Sequence, residues 1–93
     1  MLGQKLKQLR EGKGLVLRQV AAVLNVDTAY VCKMEKNDKP VSRLHLKKLS
    51  TLLGVPEEDL VTLWLAHKIL TVIENEPFNK KALKLALNEL QND

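Results

Sequence analysis

Residues 15–37 read LVLRQVAAVLNVDTAYVCKMEKN. Apolar side chains recur here every three or four positions, the period of a helix face and not of a strand. Val20, Ala21 and Leu24 fall on one face of a helix from about Leu17 to Leu24. Val31 and Met34 do the same for a second helix from about Thr28 to Lys36. Between them, Asn25 tolerates left-handed backbone, and Asp27 is a good N-cap. Asn37 stands just past the second helix, where a left-handed residue closes a helix end. Two short helices around a tight turn, the second polar on one face and basic at its end, have the form of a DNA-reading device. The first braces the second so that the second can lie in the major groove. Their close crossing wants a small residue, here Ala21, while Val26, Val31 and Met34 supply the apolar plug.

The same period extends outward from this stretch. Leu2, Leu6 and Leu9 predict a helix from about Leu2 to Glu11, ended by Gly12 and Gly14. Ser42 is placed to cap a helix from Arg43 to Leu53, with Leu46, Leu49 and Leu53 inward and Gly54 as its stop. Pro56 suits the first position of a long helix to about Glu74, and Glu57, Glu58 and Asp59 complement its positive end. Pro77 interrupts, and a last helix runs to about Leu90. The connections are short, as in a compact helical domain. The expected fold is all-α.

The chain has 93 residues, enough for one domain. Apolar residues make up 45% of it and the formal charge is only +4, which excludes a disordered chain. No uncharged apolar run approaches the roughly 20 residues of a membrane span. The opening Met1-Leu2-Gly3-Gln4-Lys5 is no signal peptide. The single cysteine, Cys32, cannot form an internal disulfide. These features point to the reducing cytoplasm. The charge is uneven. Residues 1–48 carry 11 Lys and Arg against 4 acids, a net +7, whereas residues 49–93 carry a net −3. A basic half suits a polyanion, and the other half suits something else.

No nucleophile elbow, phosphate-binding loop or paired-carboxylate pattern occurs, so neither an enzyme nor a cofactor is expected. His45 and His67 lie on different helices without Cys, Asp or Glu at ligand spacing, so no metal site is expected.

Leu15 to Asn37 resembles the helix-turn-helix of the phage-repressor and Cro-like regulators, the Xre family. The family's second helix has an apolar residue followed by Ala, here Val20-Ala21. Its turn has Gly-Val, here Asn25-Val26, and its third helix ends apolar-x-x-apolar-Glu-x-Gly, here Val31 to Asn37. The resemblance covers about residues 2–70. It implies a five-helix repressor-like helix-turn-helix domain, here with an additional C-terminal helix. The expected division is 1–75 for the DNA-binding domain, with the helix-turn-helix at about 17–36, and 76–93 for a dimerisation extension. The family often pairs an arginine of the first helix with the glutamate ending the third, here Arg10 with Glu35. One departure matters: where the family has Ser or Thr and then a phosphate-binding Gln, this chain has Val16 and Leu17. Either Arg18 or Gln19 takes over that contact, or the clamp is weaker.

The resemblance aligns Thr28, Ala29 and Lys33 with base-reading positions, and Cys32 shares their face. Lysine can donate to guanine O6 or N7, and a methyl group can touch thymine. Tyr30 either reaches a phosphate through its hydroxyl or packs on the turn. Lys36, Asn37, Lys39 and Arg43 follow the third helix as backbone clamps, with Arg18 and Gln19 weaker candidates of that kind. Cys32 is either a redox-sensitive thiol beside Lys33 and Lys36 or a small residue in a serine-like position.

Beyond the helix-turn-helix, Leu60, Leu63, Trp64, His67, Leu70 and either Ile73 or Glu74 form a stripe, and Phe78, Ala82, Leu83, Ala86, Leu87 and Leu90 form another, with Leu85 outside it. This apolar girth exceeds what a five-helix core requires. The expected homodimer interface comprises Trp64, His67, Leu70, Phe78, Leu83 and Leu87, unless the last helix folds back onto its own domain. A two-fold dimer sets two recognition helices one DNA turn apart, about 34 Å, and matches a near-palindromic operator. The expected function is a sequence-specific, dimeric transcriptional regulator bound to double-stranded DNA, a repressor or restriction–modification controller. The other reading is an antitoxin-like protein-interaction module with weak or no DNA binding and a protein partner.

Overall fold

The computed structural model describes residues 1–92, and these form six α-helices and no strand. They are α1 (Leu2–Gly12), α2 (Leu17–Leu24), α3 (Thr28–Glu35), α4 (Arg43–Leu53), α5 (Glu57–Ile73) and α6 (Asn79–Gln91). Each of the first four closes on a left-handed residue. Gly14 (φ 70°) and Gly54 (φ 68°) serve α1 and α4, where no side chain opposes that conformation. Asn25 (φ 57°) and Asn37 (φ 64°) serve α2 and α3. The chain then folds back so that later N–H groups satisfy orphan carbonyls. Val26 donates to Ala21 at 3.1 Å, and Asp38 donates to Lys33 at 2.8 Å. Asp27 and Ser42 cap α3 and α4, accepting from the N–H groups of Tyr30 (2.7 Å) and His45 (3.1 Å).

Helix α1 runs one residue beyond Glu11, to Gly12, and Gly14 makes the turn that follows. Pro56 precedes the first helical residue of α5 instead of occupying it. Helix α6 begins at Asn79, two residues after Pro77, because Phe78 adopts φ 65° and leaves the helical region.

The core is leucine-rich and drawn from α1 to α5. It comprises Leu2 and Leu6, Val20, Ala21 and Leu24, Val31 and Met34, Val41, then Leu46, Leu49, Leu53 and Leu60. No polar or charged residue is buried among the described residues. Helix α6 adds nothing to this core, since none of its residues is buried. Its joint to α5 is nonetheless pinned: the Asn79 side-chain amide donates to the Ile73 carbonyl at 3.0 Å. The projecting helix lengthens the molecule to 42 Å and raises the radius of gyration to 15.2 Å. A compact chain of this length would have about 12 Å. No helix among the described residues is long and apolar enough to cross a membrane.

Candidate nucleic-acid interface

Helix α3 has only eight residues, too few to hold its shape alone in water. Its rigidity comes from its neighbours. Val31 and Met34 sink into the core. At its carboxyl end, Glu35 takes a two-pronged bond from Arg10 of α1, with Nε to Oε2 at 2.7 Å and Nη2 to Oε1 at 3.2 Å. Arg10 Nη1 also donates to the Leu15 carbonyl at 2.9 Å. One guanidinium therefore ties α1, the loop before α2 and the end of α3. The side chains of Arg10 and Glu35 are only 12% and 8% exposed, so water screens the pair little. The hydrogen bonds that Arg10 donates to Glu35 outweigh burial and raise the Arg10 pKa above its ordinary value. Arg10 and Glu35, expected as a structural pair, are one.

A second brace lies nearby. The Gly3 N–H donates to Asn37 Oδ1 at 3.0 Å, which docks the first turn of α1 on the last turn of α3. A Cβ at residue 3 would lie 2.6 Å from the carbonyl oxygens of both Met34 and Glu35, so only glycine permits this approach.

The opposite side of α3 carries no such ties. Thr28, Ala29 and Lys33 are exposed, and helical spacing puts them on one face with Cys32 and Lys36. Cys32 is half-buried, less open than its place in that set implied. Lys36, Lys39 and Arg43 are exposed, and so are Arg18 and Gln19 at the start of α2. Gln19 Oε1 accepts from the Val16 N–H at 2.8 Å. That bond orders the side chain and leaves both of its amide N–H donors for another partner.

Two proposed clamps are already engaged within the fold. The Tyr30 hydroxyl donates to the Pro40 carbonyl at 2.9 Å, and its ring meets His45 edge-on at 6.2 Å. With its proton spent, the hydroxyl has no donor left for a phosphate, and Tyr30 acts as a strut. Asn37 is the left-handed residue that closes α3, and its side-chain oxygen serves Gly3.

The C-terminal candidates divide. Trp64 and His67 turn toward their own domain and are half-buried. The Trp64 indole N–H donates to the Val41 carbonyl at 2.7 Å, and Lys68 Nζ lies 3.6 Å from its ring centroid. Leu70, Phe78, Leu83 and Leu87 are exposed. The outward apolar row of α5 is a different one, Leu65, Ile69 and Val72, whose three- and four-residue spacing was legible in the sequence. Among the described residues no group of three or more His, Cys, Asp or Glu could hold a metal.

Residues 6–60 match the helix-turn-helix family. No curated protein matches the chain. Among solved structures, the chain is similar to one in a complex of SinR protein and SinI protein, with a TM-score of 0.58. That likeness covers 99% of this chain and 98% of the other at 23% identity, and it bears on the fold alone. The braced α3, the Arg10–Glu35 pair and the match over more than half of the sequence agree. The chain belongs to the helix-turn-helix family of Xre/Cro-like DNA-binding regulators.

Proposed function

We propose that this chain is a sequence-specific transcriptional repressor or restriction–modification controller that works in the cytoplasm, without catalysis, as a homodimer on a near-palindromic operator. The observation that carries the reading is the outer face of α3. It is exposed at Thr28, Ala29 and Lys33 while its inner face is sunk in the core and its carboxyl end is held by two ties from α1. A helix fixed on one side and left bare on the other can enter a major groove without first paying for its own ordering. Thr28, Ala29, Cys32 and Lys33 read bases, and Arg18, Gln19, Lys36, Lys39 and Arg43 meet phosphates. Residues 76–93 form the dimerisation extension, through Phe78, Leu83 and Leu87 with Leu70 of α5.

Fluorescence anisotropy tests this, using duplex from immediately upstream of the gene beside a scrambled duplex at two salt concentrations. The reading predicts at least about a hundredfold preference and a steep loss of affinity with salt. Equal weak binding to both duplexes would place the operator elsewhere. No binding at low salt would overturn the reading.

One observation favours a protein partner as a second reading. Helix α6 offers an apolar face at Leu83, Leu87 and Leu90 that stays exposed among the described residues. The similar solved chain comes from a complex of two named proteins. An antitoxin-like interaction module would use that face and would not need α3.

A further inference from the structure

Two consecutive carbonyl groups in the α3–α4 loop are held by aromatic side chains from two different helices. The Tyr30 hydroxyl of α3 donates to Pro40, and the Trp64 indole of α5 donates to Val41, at 2.9 and 2.7 Å. The loop carries exposed Lys39 and leads into Arg43, whose guanidinium lies 5.7 Å from the centroid of the Trp64 ring. Pro40 has no N–H to offer, and residues 38–42 belong to no helix, so backbone pairing alone does not fix this segment. Lysine and arginine are long and rotamer-rich. They hold a phosphate at fixed register only when the backbone beneath them is fixed.

We infer that Tyr30 and Trp64 are positioning residues for DNA binding: together they set the α3–α4 loop so that Lys39 and Arg43 meet the DNA backbone in register with α3. This rests on the reading that the loop clamps phosphates. Tyr30 ties the loop to the helix that reads bases. Trp64 ties it to α5, whose outer row of Leu65, Ile69 and Val72 runs on toward α6. The Arg43 guanidinium also lies within cation–π reach of the indole ring, whose nearer cation is Lys68 at 3.6 Å, so Trp64 adjoins both the loop carbonyl and the cation that follows it.

The test uses Tyr30→Phe and Trp64→Phe in the full chain. Each keeps an aromatic ring and removes one donor. Binding to the upstream duplex is measured by anisotropy across a salt series, beside thermal melts. Each variant should bind about three- to tenfold more weakly, the loss expected for one hydrogen bond. The slope of log affinity against log salt should become shallower by up to about one per monomer, because a displaced cation releases fewer counterions. A neutral Tyr30–phosphate contact would weaken binding without changing that slope. Trp64→Phe should lose most of its effect in an Arg43→Ala background, and Tyr30→Phe in a Lys39→Ala background. Unchanged affinity, an unchanged slope or fully additive double variants would overturn the inference while wild-type binding still stood. Absence of wild-type binding would overturn the DNA reading and this inference with it. If Trp64→Phe melts below the assay temperature, Tyr30→Phe and its Lys39→Ala partner decide the matter.

Discussion

Gly3→Ala is a substitution whose sign the structure reverses. In an exposed helix the change stabilises by about 0.5–1 kcal/mol, because alanine gives up less backbone freedom on folding. Here the new methyl would meet two backbone oxygens of α3 at 2.6 Å and Asn37 Oδ1 at 2.7 Å. The first two belong to the last turn of α3 and cannot swing aside as a flexible side chain can. Forcing them apart costs about 1–3 kcal/mol, as overpacking does elsewhere. The Gly3–Asn37 hydrogen bond goes as well, at about 1 kcal/mol. Escape by fraying the first turn uncovers Leu2, which is 3% exposed, and loses about 2 kcal/mol of burial. The net expectation is a loss of about 1–3 kcal/mol. At about 4–8 °C per kcal/mol for a domain of this size, Tm falls by about 5–20 °C. Gly12→Ala is the matched control, since a Cβ there meets nothing within 4 Å. It should raise Tm by a few degrees. Circular dichroism melts of both variants beside wild type suffice. A Gly3→Ala protein as stable as Gly12→Ala would refute the docking of α1 on the end of α3.

Glu35→Gln should destabilise by about 2–3 kcal/mol in urea titrations, because it leaves the nearly buried Arg10 charge without its counter-charge. Lys33→Ala should cost about 1–3 kcal/mol on the specific duplex and relax preference at one base pair. Lys36→Ala should weaken specific and scrambled duplexes equally and make the salt slope shallower by about one per site; identical behaviour of the two lysine variants would remove the division between reading and clamping. Leu83→Lys together with Leu87→Lys should leave the fold intact, since neither residue is buried, and give a monomer in sedimentation equilibrium at tens of micromolar. A wild-type monomer under those conditions would sink the dimer.

The helices were legible because their apolar periods are strong and their stops are specific. The bounds of α2 and α4 follow from Leu17, Leu24 and Asn25, and from Ser42, Leu53 and Gly54. Gly12 and Gly14 marked the end of α1, but only backbone geometry shows that Gly12 closes the helix and Gly14 turns the chain. The Arg10–Glu35 tie was legible only through resemblance, for the two residues lie 25 positions apart. Periodicity cannot report such pairs. The same limit hid the Gly3–Asn37 contact and the work done by Tyr30 and Trp64, whose donors reach backbone carbonyls with no sequence signature. On α5, the stripe from Leu60 through Trp64 and His67 faces its own core, while Leu70 at its end is exposed. A helix with apolar residues on two sides does not say which side is inward until its neighbours are placed.

The most direct test of α3 as the reading helix is amide chemical-shift mapping by NMR as the upstream duplex is added to the isotopically labelled chain. The structure predicts that the largest shifts fall on Thr28, Ala29 and Lys33, with smaller ones at Arg18, Gln19 and residues 36–43, and little change along α6. Shifts concentrated on α5 and α6, with the outer face of α3 unmoved, would contradict it.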